Sequence, residues 1–254
     1  MKILAIAFNT FRESIRDRIL YNLLIFALLL ICSTIALQEL TIATQKRVMI
    51  DLSLAAISVF GTMMAVFLGI GLVYKEIDRR TVYTIVSKPV SRLSFIIGKF
   101  CGQMITLGVN ILLMLIMLMA VYGIAHRSFE WPPLLAVAFL YLELMVLTAL
   151  AMLFSSFTTP TLSAIFTLSF WVMGHLVADM RNFAATTDKA VFVKTLTTLT
   201  KVIPDLERFN LKNWAVYGDP ISLNVILLTV CLGLIYVIFF LAGAVFIFER
   251  RDFK

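Results

Sequence analysis

Charge is scarce in this sequence. Only 15% of its 254 residues are Asp, Glu, Lys or Arg, while 61% are hydrophobic. A soluble domain of this length has no interior large enough for so much apolar surface. Cysteine is scarce too. Cys32, Cys101 and Cys231 are scattered with no CxxC pair, which excludes a disulfide framework and a zinc ribbon and leaves them as small packing residues. The two histidines, His126 and His175, are too few for a histidine-based metal centre. His175 and Asp179 are four residues apart and could share a helix face as an interfacial hydrogen-bonded pair. Catalytic signatures are missing as well: neither H-E-x-x-H nor G-x-S-x-G occurs. Gly98-Lys99 is followed by Phe100, so the chain has no P-loop with which to cradle a nucleotide.

What the sequence does have is long apolar runs. A membrane span needs roughly 20 apolar residues. Six segments qualify or come close: Leu20–Leu37, Leu54–Tyr74, Gly102–Ile124, Leu134–Phe157, Thr161–Ala178 and Ile221–Phe248. The runs are continuous rather than alternating, so they predict helices and not barrel strands. The expected fold is all-α and polytopic, one transmembrane domain over 1–254. The first run starts only at Ile19 and has no small-x-small cleavage site, so no cleavable signal peptide is expected. No internal repeat is evident, which gives no support to an inverted-repeat transporter.

Residues 2–17 precede the first span with a helical period. Leu4, Phe8, Phe11 and Ile15 form an apolar stripe, with Lys2, Asn9, Arg12, Glu13 and Arg16 elsewhere on the wheel. Such a helix is expected to lie in the membrane interface. Between the fourth and fifth spans, Ser155–Pro160 predicts a tight turn and an antiparallel hairpin. His126–Pro133 predicts another turn, with Trp131 as an interface anchor and Pro132-Pro133 starting the fourth span. The segment 179–220 is expected to be extracytoplasmic. Phe192, Leu196, Leu199 and Ile203 recur there at helical spacing before Pro204, which predicts short amphipathic helices lying at the outer surface.

The distribution of Lys and Arg sets the orientation. Lys2, Arg12, Arg16 and Arg18 fall on one side, with Lys75, Arg79, Arg80, Lys88, Arg92 and Lys99 between the second and third spans and Arg250, Arg251 and Lys254 at the end. The 179–220 segment is also basic, but Asp179, Asp188, Asp205, Glu207 and Asp219 dilute it. Both termini are therefore expected to be cytoplasmic. The net charge of +7 reads as this bias plus attraction to anionic lipid. Its division between two membrane faces argues against nucleic acid as a partner.

Two places stand out as candidate sites. The first is the basic loop 75–99. Glu76, Asp78 and Thr81 suit the first turns of a helix running to Val86. Pro89 breaks it and pushes Lys88 extended. Ser91 or Ser94 then caps a helix through Phe95 and Gly98-Lys99 into the third span. A short exposed helix is marginal alone and gains by docking. The second is Glu143, about nine residues into the fourth span and so roughly 13–14 Å deep at 1.5 Å per residue. A carboxylate at that depth faces protein or water. It is either a residue of a translocation or proton path or a packing residue hydrogen-bonded near Tyr141 and Thr148. Without a basic partner in another span it makes a poor proton relay.

Three motifs in order carry a resemblance. Glu76-Ile77-Asp78-Arg79-Arg80-Thr81-Val82-Tyr83 is followed by Ser87-Lys88-Pro89-Val90-Ser91-Arg92, then Phe95 and Gly98-Lys99. Ile203-Pro204-Asp205-Leu206-Glu207-Arg208-Phe209-Asn210-Leu211 leads to Ala215-Val216-Tyr217-Gly218. Phe248-Glu249-Arg250-Arg251-Asp252-Phe253 closes the chain. Together with the six-span layout they resemble the permease subunits of ABC exporters of the type-2 class, across essentially the whole chain. Many drug- and polysaccharide-exporting relatives have Gly where Arg80 stands here, so no cargo follows from the likeness.

The resemblance implies a multi-pass subunit of the bacterial cytoplasmic membrane that pairs with a second permease copy. A partner ABC ATPase would bring ATP and Mg, this chain holding no cofactor itself. Glu76, Asp78, Arg79, Arg80, Thr81, Lys88, Pro89 and Arg92 would form the coupling helix and its flanks. Export, lipid extraction and force transmission to an extracytoplasmic partner all fit. The rival reading is a stand-alone secondary transporter or channel using Glu143.

Overall fold

The structure, a computed structural model, describes residues 2–38, 45–78, 91–186, 198, 203–218 and 221–250; for 72–78 and 184–186 it describes the backbone alone. Every regular element among them is helical. In chain order these are α1 (Lys2–Ile15), α2 (Arg18–Gln38), α3 (Gln45–Asp78), α4 (Arg92–His126), α5 (Pro132–Ser155) and α6 (Pro160–Thr186), then a 3-10 turn (Leu206–Phe209), α7 (Lys212–Tyr217) and α8 (Leu223–Arg250). Six of the helices, α2 to α6 and α8, are long and apolar enough to cross a membrane, matching the six spans expected.

The two most buried spans form the centre. In α3 and α5, 67% of the most apolar stretch is buried inside the protein, against 22% in α2, α6 and α8. The α5 sequence is apolar on all sides, as a helix enclosed by others must be. Its Ser155 hydroxyl donates to the Ile70 carbonyl of α3 at 3.1 Å. The outer helices turn large side chains such as Phe26, Leu29, Ile238 and Phe239 outwards, where the hydrocarbon of a bilayer would meet them.

One end of the bundle, called basal here, carries α1, the start of α2, the end of α3, the start of α4, the α5–α6 turn and the end of α8. At the other, distal end lie the end of α2, the start of α3, the α4–α5 connection and the described part of 179–220. Pro132 and Pro133 open α5, where a missing N–H costs nothing. Residues 156–159 turn α5 back into α6, and the Ser163 hydroxyl donates across the hairpin to the Ala151 carbonyl at 3.2 Å. Ser91 caps α4: its backbone is extended and its hydroxyl oxygen accepts from the Ser94 N–H at 3.2 Å.

The helix α1 packs along α4. A Cβ built at Gly102 would lie 2.4 Å from the Ala7 carbonyl oxygen and 2.7 Å from Thr10 Cβ. Gly98 and Gly102 therefore form the flat strip on which α1 rests, with Ala7 and Thr10 buried against it. The apolar stripe behaves differently: Leu4 and Phe8 are exposed, facing away from the bundle.

Three expectations need correction. The spans are longer than their apolar runs: α3 starts at Gln45 inside the expected loop, and α6 continues to Thr186. Hydropathy marks where a helix leaves the hydrocarbon; its backbone hydrogen bonding does not stop there. For the same reason α3 runs unbroken through Glu76 to Asp78, so these residues belong to the second span's helix, whose course beyond Asp78 lies outside the described residues. Residues 203–218, expected on the outer surface, instead pack into the bundle. Phe192, Leu196 and Leu199 of the expected surface helix lie outside the described residues.

Candidate functional site

The structure brings His175 and Glu143 to one place. Glu143 lies at the middle of α5 and is 1% exposed. Its Oε1 accepts the indole N–H of Trp171 at 2.9 Å. The same oxygen is 3.4 Å from His175 Nε2. Trp171 and His175 are both on α6, one turn apart on one face, and their rings meet at 4.9 Å between centroids. His175 Nδ1 lies 3.1 Å from the Trp171 carbonyl. A carbonyl only accepts, so Nδ1 carries a proton.

This overturns the reading that Glu143 has no basic partner in another span. His175 looked terminal because the fifth run ended at Ala178; with α6 extending to Thr186 it becomes an interior residue. Its partner is Glu143, with no contact to Asp179 among the described residues. The neighbours expected to help Glu143 point elsewhere. Tyr141 donates to the Met104 carbonyl at 2.8 Å and Thr148 to the Leu144 carbonyl at 2.7 Å.

Above this group sits a plug made by residues 203–218. Leu206 and Phe209 are each 1% exposed. Leu206 enters where α6 has no side chain: a Cβ at Gly174 would lie 2.6 Å from Leu206 Cγ. Asp205 fastens the turn, its Oδ2 taking Arg181 at 2.9 Å and Arg208 at 3.2 Å. Asn210 donates to Glu207 at 2.8 Å, and Trp214 packs edge-on to Trp131 at 5.2 Å. Gly218, with φ 77°, ends α7 in the left-handed region that suits glycine.

Lys212 comes down beside Glu143. Both line a cavity of about 10 Å³ together with His175, Phe209 and Ser58, room for one water at most. Burial holds the Lys212 ammonium below the usual lysine range, opposed by the negative charges of Glu143, Asp51 and Glu207. The result is a buried carboxylate near mid-helix, held by Trp171 and His175 and closed from the distal end. Trp171 and Lys212 were not foreseen. Trp171 was legible in principle from its i, i+4 spacing to His175 inside an apolar run; Lys212 was not, because only the plug's burial brings it in.

Of the loop residues, Arg79, Arg80, Thr81, Lys88 and Pro89 lie outside the described residues, as do the side chains of Glu76 and Asp78. Arg92 is described. Its guanidinium donates to the carbonyls of Phe248 and Glu249, both at 2.8 Å, in the last described turn of α8. Phe95 stacks on Phe248 with centroids 6.1 Å apart. The start of α4 and the end of α8 are thus tied together at the basal end.

Six helices long and apolar enough to span, two of them enclosed by the other four, with no strand among the described residues, define a multi-pass membrane protein. The model of the family described as ABC-2 family transporter protein matches residues 4–253, and the chain belongs to that family. It is the membrane subunit type of an ABC transporter, a class that works with an ABC ATPase. No curated protein matches the chain.

Proposed function

We propose that this subunit couples ATP hydrolysis by a separate ATPase, docked on the 75–99 loop, to export or force transmission across a bacterial cytoplasmic membrane. It does so as one of two paired permease copies, with both termini and the basal end in the cytoplasm and α1 lying in the interface. The observation that carries this reading is the family match over residues 4–253. The geometry agrees with it. The 34 residues of α3 and 35 of α4 are each roughly 50 Å long at 1.5 Å per residue, against a hydrocarbon core of about 30 Å. They overrun the membrane and carry the loop on two rigid arms. Because α3 is a central helix, and Arg92 links α4 to α8, a push on the loop moves packed helices together. Such a push shifts the balance between discrete bundle states.

Glu143 fits a structural role in this scheme. Its oxygen has an indole donor and a histidine partner, and the plug covers it. The stand-alone transporter or channel using Glu143 is not favoured.

The test replaces Glu76 and Arg79 with Ala. The expected result is normal insertion with a loosened ATPase complex or reduced coupling of ATP hydrolysis to transport. Full assembly and full coupling in that variant would contradict the proposal.

A further inference from the structure

At the distal end a cavity of about 270 Å³ lies between α6, the turn that carries Asp205, and the first half of α8. Its floor is aromatic. Tyr236 stacks on Phe240 with centroids 6.4 Å apart, and Phe240 meets Phe170 of α6 edge-on at 6.2 Å. These rings join α6 and α8 on the basal side of the cavity. Both helices carry exposed apolar side chains nearby, Leu176 and Phe183 on α6 and Leu228 and Ile235 on α8, so the cavity lies between two lipid-facing surfaces.

The two ends of the cavity differ in chemistry. At the outer end Arg181 and Arg208 both reach the same Asp205 oxygen, at 2.9 and 3.2 Å, so one small group can touch both guanidiniums. Their side chains are 44% and 43% exposed, and each has N–H donors left over. The trio keeps one net positive charge. Glu207, the other acid of the turn, takes the Asn210 amide and does not line the cavity. Deeper in, Thr229 is 3% exposed and Tyr236 is half-buried. Both line the cavity, and neither hydroxyl makes a hydrogen bond among the described residues. Leu232 lies between them on one face of α8, at i, i+3, i+7 spacing. Helical side chains lean towards the N-terminus, which for α8 is the distal end, so Tyr236 reaches back towards Thr229. A buried hydroxyl without a partner is a cost that an acceptor would remove.

We infer that this cavity holds the phosphodiester and glycerol backbone of an anionic phospholipid from the distal leaflet. The phosphate sits on the two guanidiniums, whose paired N–H donors match its oxygens. Its single negative charge balances the single positive charge of the trio. The ester carbonyls, which follow the phosphate inwards, accept from the Thr229 and Tyr236 hydroxyls. The acyl chains pass Leu232 into hydrocarbon. A zwitterionic headgroup fits worse, because its ammonium needs a carboxylate and Asp205 is already shared by two arginines. The site rests on the membrane placement of α6 and α8, and does not depend on how the ATPase docks.

The experiment purifies the full-length protein from bilayers of diester phosphatidylglycerol, diether phosphatidylglycerol and diester phosphatidylcholine in equal parts, and identifies retained lipid by native mass spectrometry. Diester phosphatidylglycerol is expected over phosphatidylcholine by roughly tenfold, the effect of one uncompensated charge. It is expected over its diether by roughly fivefold, because ether oxygens accept poorly and a neutral hydrogen bond is lost. Thr229→Val with Tyr236→Phe keeps both shapes and should erase the diester preference while leaving the charge preference. Arg208→Gln should erase the charge preference; if it loosens the turn, the hydroxyl pair still decides. Added glycerol 3-phosphate should leave the lipid in place, and displacement by it would overturn the lipid assignment in favour of a soluble phosphate. Equal retention of phosphatidylglycerol and phosphatidylcholine, a charge preference unchanged by Arg208→Gln, or a diester preference that survives loss of both hydroxyls would overturn the inference.

Discussion

Replacing Gly174 with Ala adds a single methyl group where the distal plug enters the bundle. That carbon would lie 2.6 Å from Leu206 Cγ, 2.7 Å from its Cδ1 and 3.1 Å from its Cβ. The contacts reach the base of the Leu206 side chain as well as its tip, and Leu206 is 1% exposed, so a rotamer change alone has nowhere to go. Overpacking of this kind costs about 1–3 kcal/mol. A penalty near 2 kcal/mol changes the ratio of seated to lifted plug by roughly 30-fold. The helix itself is affected in the opposite sense, since Ala is better than Gly in a helix interior by about 1 kcal/mol. The variant should therefore keep α6 intact while loosening the plug. Amide hydrogen exchange over Leu206–Tyr217 reads the plug separately from α6. Gly123→Ala is the control, because nothing lies within 4 Å of its added carbon. Adding Leu206→Ala removes the atoms that are struck, so the two substitutions together should cost less than their sum. Identical plug exchange in the Gly174 and Gly123 variants would refute the seating of Leu206 against α6.

Glu143→Gln should preserve folding and ATPase coupling, because the amide oxygen still accepts from Trp171; Glu143→Ala leaves that indole donor unpaired and should cost about 1–3 kcal/mol in thermal unfolding measurements. A folded and fully assembled Glu143→Gln complex with no transport would show instead that the acid handles cargo or protons. For Lys212, burial lowers the folded-state pKa, so the lifted plug binds more protons than the seated one between the lowered value and the ordinary lysine value. Linkage then makes seating firmer as pH rises through that window, and hydrogen exchange of the plug, corrected for the intrinsic pH effect, should slow; Lys212→Met should remove the dependence. Cysteines placed at Asp188 and Lys194 should label from outside, and those at Arg80 and Lys254 only from inside. Labelling of positions 188 and 80 from one side would contradict the topology.

The six spans were legible because a hydrocarbon-crossing helix needs an apolar run, and such runs are visible without knowing any partner. Their ends were not. At Gln45 the helix continues into polar sequence, which backbone hydrogen bonding permits and hydropathy does not register. Ser91 is the cap of the two serines, Ser91 and Ser94, that the sequence offered; a serine before a helix satisfies a nearby N–H wherever the helix later packs. The plug was hidden for another reason. Asp205-Leu206-Glu207-Arg208-Phe209 alternates charge with apolar bulk, which reads as a surface segment until Gly174 and the Arg181–Asp205 pair are known to receive it. Glu143 was visible as an anomaly by depth alone. Its meaning required the register of α6 against α5, which puts Trp171 and His175 on the same carboxylate oxygen. The seat of α1 had a local signal in Gly98 and Gly102, four residues apart, but only contact with Ala7 and Thr10 shows which helix uses it.

The most direct measurement is mild extraction of the full-length protein from its native membrane, followed by identification and quantification of what co-purifies. A P-loop ATPase in stoichiometric complex, released by Glu76→Ala with Arg79→Ala, is the predicted result. Substrate movement by the purified subunit alone, driven by an ion gradient and with no ATPase bound, would contradict the account.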